Sequence, residues 1–356
     1  MNLNDSNQGT IVWPEELDTE EKVMEQLKKT PSLYGSYRRL NGEWRQRFLD
    51  FCQGKKSLPL TYDPFFKRIF HPDIHPDRLS RLVSSLLGIE VKVVRILPNE
   101  DSLMDGDTLL IMDLLGELED GSLINVEIQK QSYAFPAERI SCYSSDLIMR
   151  QYARVRGIKG NTFTYRDIKK VYVIVIFEQS MKIFYETGGR YIHHGKTVFD
   201  TGLKLELLQE CFLVALDVFR KTSYPKDRSE QTAWLSLLST ESLEDAEILV
   251  KEYPWLEEIY KEIAMLRQQP EEVLGMFSEA LRILDENTAK FMIEELQKKV
   301  EEKDAEISKK DAVIEEKDLM LDKKEALLNE QNSTIDKINA ENEALKRQLK
   351  EISEHR

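Results

Sequence analysis

The spacing of hydrophobic positions changes twice along the chain, and the changes divide it into three kinds of segment. Before Gly88, apolar residues recur every three or four positions, which predicts amphipathic helices. Between Val91 and Gly202, alternating and continuous apolar runs predict strands around one long helix. From Ser229 onward the helical spacing returns and no strand signal remains. The pattern indicates an α/β region between two helical regions.

The first helical region is predicted to extend from residue 1 to about residue 60, where Pro59 interrupts it. A short helix is expected next, with Asp63 capping its start and Pro64 at its first position. Another helix begins at Asp77 and is expected to end at Gly88, because glycine adopts the left-handed backbone conformation that closes many helices.

The middle region predicts a mixed sheet. Three strands are expected at residues 91–98, 108–118 and 123–129, and Asp120-Gly121 predicts a tight hairpin between the last two. A long helix should enter at Pro136 and stop at Gly157. The apolar run within residues 169–179 is typical of a strand buried on both faces, and edge strands are expected around Gly188-Gly189.

A seven-residue repeat marks the C-terminal segment. One position of the repeat is apolar over most of its length, whereas its companion core position holds Lys303, Lys310, Lys317, Lys324 and Gln331 before Ile338 restores it. This half-apolar seam predicts a long, coiled-coil-like helix with moderate self-association, and therefore a homodimer; a solvated single helix is the alternative. The seam consists of Val300, Ile307, Ile314, Leu321, Leu328, Ile335, Asn342 and Leu349.

Composition narrows the class of protein. The chain has 356 residues, 41% of them hydrophobic, and no apolar run long enough to cross a membrane. It has no secretory signal, and its three cysteines lie far apart, so a cytoplasmic protein without a membrane partner is expected. A net charge of −14 argues weakly against nucleic acid, although basic residues exceed acidic ones between Glu138 and Lys170.

Two carboxylates in the predicted hairpin are the main candidates for chemistry. Asp113 interrupts an apolar run, and Glu127 lies on the strand after the Asp-Gly turn, so the hairpin is expected to bring them side by side. Two close carboxylates repel unless a proton or a cation lies between them, and oxygen ligands suit Mg²⁺ or Mn²⁺. The alternative is that both residues simply face solvent on a half-exposed sheet.

Several short motifs resemble the PD-(D/E)XK nuclease family transposases, which include recombination-promoting nucleases. The resemblance covers roughly residues 60–220 and implies a restriction-endonuclease-like fold that cuts double-stranded DNA with a divalent metal. The motifs are Tyr62-Asp63-Pro64-Phe65-Phe66-Lys67, then Asp113, Asp120-Gly121 and Asn125-Val126-Glu127-Ile128-Gln129, then Arg139, Tyr143, Ser145 and Gln151-Tyr152, and finally Lys170-Val171-Tyr172-Val173-Ile174.

The same resemblance implies roles for individual residues. Asp113 and Glu127 would bind the metal together with the backbone carbonyl of Ile128. Gln129 would take the place of the usual lysine and orient the water or the phosphate, so the metal must carry more of the activation, since glutamine accepts no proton. The predicted DNA contacts are Arg139, Tyr143, Lys67 and Lys130, although a regular strand would turn Lys130 to the opposite face.

Four segments follow: an N-terminal helical extension at 1–58, a nuclease-like core at 59–225, a helical region at 226–290 and a long charged helix at 291–356. The favoured hypothesis is a metal-dependent DNA endonuclease linked to recombination. The alternatives are a nuclease-fold protein that binds DNA without cutting it and a coiled-coil interaction protein. Because the hypothesis places Asp113 and Glu127 outside the apolar core, alanine at either position is expected to abolish cleavage without unfolding the chain.

Overall fold

The computed structural model describes residues 19–97, 114–130, 137–222 and 229–354, except for the side chains of 285–291, 294–295 and 351–354. Asp113 and the preceding part of its predicted strand lie outside these residues, as does Pro136. The chain divides after Asn287 into two compact units, and the second consists of one helix.

The N-terminal part of the chain is helical from Glu20 onward, as its spacing predicts. Its helices are α1 (Glu20–Lys28), α2 (Pro31–Arg39), α3 (Gly42–Cys52), α4 (Asp63–Phe70) and α5 (Pro76–Leu87). Helix α5 ends at Gly88 with a φ of 69°, as predicted. The predicted cap of α4 is wrong: Tyr62 holds the N-cap position without a side-chain cap bond, and Asp63 is already helical, 3.0 Å from Lys67 Nζ. The carboxylate binds the ammonium group one turn ahead instead of the backbone.

The predicted mixed sheet is confirmed, and it has six strands in the order β1-β2-β3-β4-β6-β5. The strands are β1 (Val93–Ile96), β2 (Leu114–Leu118), β3 (Leu123–Gln129), β4 (Val171–Phe177), β5 (Ile192–Lys196) and β6 (Gln209–Ala215). Strands β3, β4 and β6 are parallel, while β1, β2 and β5 pair antiparallel with their neighbours. Helix α6 (Glu138–Lys159) connects β3 to β4, so it runs back across the sheet.

Two details of the middle region differ from prediction. Helix α6 continues through Gly157 and ends at Lys159, where Gly160 has a φ of 51°. A single glycine costs a helix only about 1 kcal/mol, so packing overrides it. The short helix α7 (Lys182–Tyr185) precedes the Gly188-Gly189 turn, where an edge strand was expected, and the edge strand β5 follows the turn. The paired strand β6 was not predicted.

Each face of the sheet is covered by helices. On one face, residues of α1–α5 and of the helices that follow the sheet form a single apolar cluster, which includes Ile124 and Val126 of β3. The other face packs against α6 and holds Leu123 of β3 together with Tyr143 and Leu147. The remaining helices of the first unit are α8 (Leu216–Lys221), α9 (Glu230–Ser239), α10 (Leu243–Glu252), α11 (Glu257–Leu266) and the start of α12 (Pro270–Glu354).

An ion-pair network ties α4 and α5 to α11. The Glu262 carboxylate lies 2.6 Å from Arg68 Nη1, 2.5 Å from Arg78 Nη1 and 2.8 Å from His75 Nε2. Burial raises the pKa of Glu262, but the hydrogen bonds from His75 and Arg78 outweigh burial and hold the pKa below its usual 4.5. The network therefore stabilises the fold only while Glu262 is ionised.

We expect Glu262→Gln to lower the free energy of unfolding at neutral pH by about 1.5–3 kcal/mol, the scale of hydrogen bonds to charged groups. Because the folded pKa lies below 4.5, the stabilisation is complete above that pH and is lost as pH falls through the folded value. Urea unfolding across a pH series measures the difference. Glu258→Gln, an exposed position on the same helix, is the control, and a pH-independent difference between Glu262→Gln and the native chain would contradict the linkage.

Most of helix α12 belongs to the second unit of the chain. Its side chains between residues 296 and 350 are exposed. The seam residues are no exception, since Ile307, Ile314 and Leu321 are 53–58% exposed. In the part of the chain that the structure describes, no helix is both long enough and apolar enough to cross a membrane. A long C-terminal helix is confirmed, while its pairing as a coiled coil stays a prediction.

Candidate active site

Glu127 is the fifth residue of β3, at the centre of the sheet, where it pairs with Val175 of the parallel neighbour β4. Side chains alternate along a strand, so Asn125, Glu127 and Gln129 share the face that α6 covers. Glu127 is only 2% exposed. The prediction that Glu127 stands outside the core is therefore wrong: it is a buried carboxylate between the sheet and a helix.

Two polar side chains bind this carboxylate, and a third binds one of those two. Asn125 Nδ2 donates to Glu127 Oε1 at 2.9 Å, and the Tyr143 hydroxyl donates to Oε2 at 3.3 Å. Arg139 lies one turn before Tyr143 on α6, and its Nε donates to the Tyr143 oxygen at 2.6 Å. The Arg139 guanidinium also lies 5.1 Å from the centre of the Tyr143 ring. The chain from Arg139 through Tyr143 to Glu127 favours the ionised form of the carboxylate.

Asn125 was not predicted as a site residue, although its spacing from Glu127 placed both on one face. It is fully buried, and its Oδ1 has no hydrogen-bond partner among the residues that the structure describes. A buried carbonyl oxygen without a donor carries a desolvation cost. An amide oxygen beside a carboxylate is the kind of ligand that Mg²⁺ accepts. The donor set therefore fits a hard divalent cation.

The described part of the chain offers few side chains that could bind a metal at this site. No group of three or more histidine, cysteine, aspartate or glutamate side chains that could hold a metal occurs there. Asp113, the second predicted ligand, lies outside the described residues. The described residues contribute one carboxylate, Glu127, and one amide oxygen, that of Asn125.

Gln129 and Ile128 end β3. Gln129 is partly exposed, lies on the Glu127 side of the strand, and its carbonyl accepts a hydrogen bond from Glu178 N at 2.9 Å. Ile128 pairs with Ile176 and packs against the apolar cluster on the opposite face. The structure thus places Gln129 on the same face as Glu127 at the carboxyl end of β3, while its role in place of lysine stays a prediction.

Lys130 takes part in a second polar cluster, on the other side of the sheet. Its Nζ forms an ion pair with Glu178 and donates to Thr61 Oγ1 at 2.9 Å. The same ammonium lies 3.6 Å from the centre of the Tyr62 ring, and Glu178 also accepts from Thr61. Burial lowers the pKa of Lys130, although Glu178 opposes that effect. Sequence reasoning missed Glu178, because it follows β4 and is distant from Lys130 in the chain.

The remaining predicted DNA contacts differ in accessibility. Tyr143 is fully buried, and Lys130 is mostly buried in its ion pair, so their positions favour supporting roles over contact with DNA. Lys67 is partly exposed and paired with Asp63, far from Glu127 in the sequence. Burial raises the pKa of Asp63, and Lys67 lowers it less. Arg139 is half-buried beside the candidate site.

The basic segment between residues 138 and 170 is partly neutralised. Arg150 pairs with Asp146 at 2.7 Å, and Arg154 lies 2.7 Å from Glu117 on β2. Lys170 lies 2.5 Å from Glu210 on β6. Hydrogen bonds from Arg154 and Arg95 overcome the opposing effect of burial and lower the pKa of Glu117, which therefore stays charged. Arg154 and Lys170 therefore bind acidic residues of the sheet and Arg150 binds one of α6, so these three cations are not free to bind phosphate.

Comparison with known protein families gives one match. The sequence model of the PD-(D/E)XK nuclease family transposases matches residues 60–290, more than half of the chain. No curated protein and no solved structure matches. The matched residues include the whole six-stranded sheet, α6 and the Glu127 cluster, and they extend past the resemblance seen in the sequence to α9–α11. The chain belongs to the PD-(D/E)XK nuclease family transposases.

Proposed function

We propose that this protein is a cytoplasmic DNA endonuclease that hydrolyses phosphodiester bonds of double-stranded DNA with Mg²⁺ or Mn²⁺, in the setting of recombination. Membership in the family supports a nuclease. The observation that carries the proposal is the buried Glu127, held by Asn125 and by the Arg139–Tyr143 pair on a central strand. A purely structural sheet has no need of a buried carboxylate at that position, since burying a charge costs free energy.

The proposed metal ligands are Glu127, Asp113 and the carbonyl of Ile128, and we add Asn125 Oδ1. Asp113 directly precedes Leu114, which pairs with Val126, the neighbour of Glu127. The bound cation would supply positive charge that activates water and stabilises negative charge on the phosphate. Both oxygen types in this set suit Mg²⁺ better than softer metals.

Side chains around the site would hold the Glu127 carboxylate in place and orient the substrate. Tyr143 fixes one oxygen of Glu127 and Asn125 fixes the other, so the carboxylate has one orientation. Arg139 strengthens the donor character of the Tyr143 hydroxyl by charge and keeps its ring in place. Gln129 would orient the attacking water or the scissile phosphate through its amide, but it would not take a proton.

A second reading has one observation in its favour. Glutamine stands at position 129, where most PD-(D/E)XK enzymes have lysine, and the neighbouring Lys130 does not replace it, because Lys130 is bound to Glu178 on the other face of the sheet. A nuclease-fold protein that binds DNA without cutting it would tolerate this change. The third reading, a coiled-coil interaction protein, would make the Glu127 cluster dispensable.

The experiment that tests the proposal is cleavage of supercoiled plasmid by the purified full-length chain with Mg²⁺, with Mn²⁺ and with EDTA. Cleavage that requires the metal supports the endonuclease. A folded protein that cuts with neither metal contradicts it and favours DNA binding without cleavage, in which case Gln129→Lys is the first variant to examine for gained activity.

We further propose that the protein is a homodimer through the seam of α12. The seam side chains are exposed in the single chain, and a helix of this polarity is stable over many turns only when its apolar stripe is covered or its charges pair along the surface. Pairs such as Lys310–Glu306 at 2.8 Å do occur. Fully solvated pairs of this kind contribute little to stability, less than burial of the seam would.

The double variant Ile314→Lys/Leu321→Lys is expected to shift the protein to monomer, because two charges would enter the apolar seam. Sedimentation velocity across a concentration series measures the change. Ala312→Lys/Leu319→Lys adds the same two charges two residues before each seam position, on the side of the repeat away from the seam, and should leave the dimer intact. A native chain that sediments as a monomer at every concentration would refute the dimer.

A further inference from the structure

Three aromatic side chains form a cluster at the C-terminal end of α6 that neither the core nor the candidate site uses. Tyr152 stacks on Tyr165 with ring centres 6.2 Å apart and planes 15° from parallel. Phe163 meets Tyr152 edge-on at 5.4 Å and Tyr165 at 5.6 Å. We call these three residues the aromatic corner.

The aromatic corner faces solvent. Tyr165 is 77% exposed, and Ile158, which lies near the end of α6, is 79% exposed. A ring that served packing alone would bury most of its surface, as the core residue Phe177 does. Here Tyr152 supports one face of Tyr165. Tyr152 thus fixes one face of the Tyr165 ring, and the rest of the exposed ring is available for stacking.

Positive charge surrounds these rings in an acidic protein. Between residues 150 and 170 the only acidic residue is Asp167, which pairs with Lys159. Arg156 lies 5.5 Å from the centre of the Tyr152 ring and is exposed. The basic residues of this segment are Arg150, Arg154, Arg156, Lys159, Arg166, Lys169 and Lys170. Of these, Arg150, Arg154 and Lys170 bind acids of the sheet or of α6, while Arg156, Arg166 and Lys169 are exposed. Arg156 also donates to the Tyr152 hydroxyl, Arg166 follows Tyr165 in the chain, and Lys169 lies near the Gly121 turn.

We propose that the aromatic corner binds single-stranded DNA, with an unpaired base stacked on Tyr165 and with Arg156, Arg166 and Lys169 on the phosphates. Exposed rings beside cations are the usual means of holding unpaired strands, since every base offers a face for stacking. Rings of this kind have no stacking partner on a closed duplex, whose bases already stack on one another. The corner therefore selects unpaired bases, and its cations bind either form.

This inference rests on the proposed endonuclease and specifies its substrate. Helix α6 carries Tyr143 at the Glu127 cluster and Tyr152 at the aromatic corner, nine residues further on. The rise of 1.5 Å per residue separates the two positions by about 14 Å along the helix axis, and the two and a half turns between them place the side chains on opposite sides of α6, so a bound strand would pass around the helix. The preferred substrate would be duplex DNA with an unpaired stretch close to the cut, such as an overhang, a frayed end or a branch.

The test measures binding in EDTA, so that its result does not depend on cleavage. Fluorescence anisotropy of labelled oligothymidine of about a dozen nucleotides, within the site sizes of single-strand binders, is compared with that of a duplex of equal length. The variants are Tyr165→Leu, which keeps an apolar side chain but removes the ring, and Tyr165→Phe, which keeps the ring. Arg166→Gln reports the charge contribution through the salt dependence of binding to both probes.

We expect Tyr165→Leu to weaken binding of the oligothymidine by about tenfold, the scale of one stacked base, and to leave duplex binding nearly unchanged. Tyr165→Phe should bind both probes like the native chain. Equal loss on both probes, or oligothymidine binding that survives in Tyr165→Leu, would overturn the proposal. So would a native chain with no affinity for the single strand. Because the plasmid assay reads cleavage, a protein that binds the single strand but cuts nothing would separate failure of the endonuclease from failure of this site.

Discussion

Glu127→Gln is expected to reduce metal-dependent DNA cleavage by more than about a hundredfold while the chain stays folded. Loss of a partner of a metal ligand alone costs about 10–100-fold in affinity or activity, and loss of the ligand's charge should cost more. Glutamine has nearly the same shape and keeps one oxygen for the Tyr143 hydroxyl. Rotation of the Asn125 amide would then let its Oδ1, which has no donor among the described residues of the native chain, accept from the new amide.

Alanine is a poorer test at this position than the sequence suggested. Because Glu127 is buried, Glu127→Ala would leave a cavity and remove the acceptor of two donors, so lost activity could reflect lost stability. Tyr143→Phe should give an intermediate loss of cleavage and weaker metal binding, since it removes one hydrogen bond and keeps the ring.

The matched control is Glu210→Gln on β6. Glu210 is a mostly buried carboxylate of the same sheet, 2.5 Å from Lys170 Nζ and 2.8 Å from His194 Nε2. It should lose some stability but keep its activity. Initial cleavage rates are compared at equal folded concentration, verified by circular dichroism. If Glu127→Gln cuts like the native chain, Glu127 is not a metal ligand and the site assignment fails.

Glu178→Ala is expected to cause the largest loss of stability from a single polar change, about 3 kcal/mol. Removing one partner of a mostly buried ion pair leaves the other charge uncompensated, at a cost of about 3–5 kcal/mol, and the partial exposure of this pair favours the lower end. The loss would also leave Thr61, which is nearly fully buried, without its carboxylate acceptor. Urea unfolding followed by circular dichroism gives the free energy.

The double variant Glu178→Ala/Lys130→Met decides whether the cost comes from the unpaired ammonium. Methionine keeps the length of Lys130 and its contact with the Tyr62 ring but has no charge, so the double variant should recover a large part of the loss. Strictly additive losses would show that the pair has no coupling. Because Lys130 and Glu178 directly follow β3 and β4, the single variant should also disturb Gln129.

The sequence predicted those parts of the fold that local spacing specifies. Strand β3 and the start of α6 follow from alternation and helical period, and β4 follows from its continuous apolar run. Strand β6 was missed because it opens on Gln209 and Glu210 and its apolar residues continue without a break into α8, and because its place between β4 and β5 depends on distant pairing. The prediction that α6 stops at Gly157 was wrong for the opposite reason, because tertiary packing outweighed a local stop signal.

The candidate site was predictable to a similar degree. Alternation along β3 placed Asn125, Glu127 and Gln129 on one face, and the i, i+4 spacing of Arg139 and Tyr143 placed both on one side of α6. The depth of burial was not predictable, because it depends on how closely α6 lies over the sheet. The Lys130–Glu178 pair joins residues 48 positions apart, and only the parallel register of β3 and β4 brings them together.

The mixed sheet has a consequence for how the chain is made. The cluster that covers one face of β4 draws members from Val23 to Ala280, so that face is not closed until nearly all of the first unit has left the ribosome. Strand β4 (Val171–Phe177) pairs with β3, which precedes it in the chain, and with β6, which follows it, so one of its edges stays unpaired until β6 has been made. Parallel pairing across such distances is slow, and uncovered apolar strands associate between chains. Newly made protein should therefore depend on chaperones, and truncations that end before α11 should aggregate instead of forming a smaller soluble nuclease.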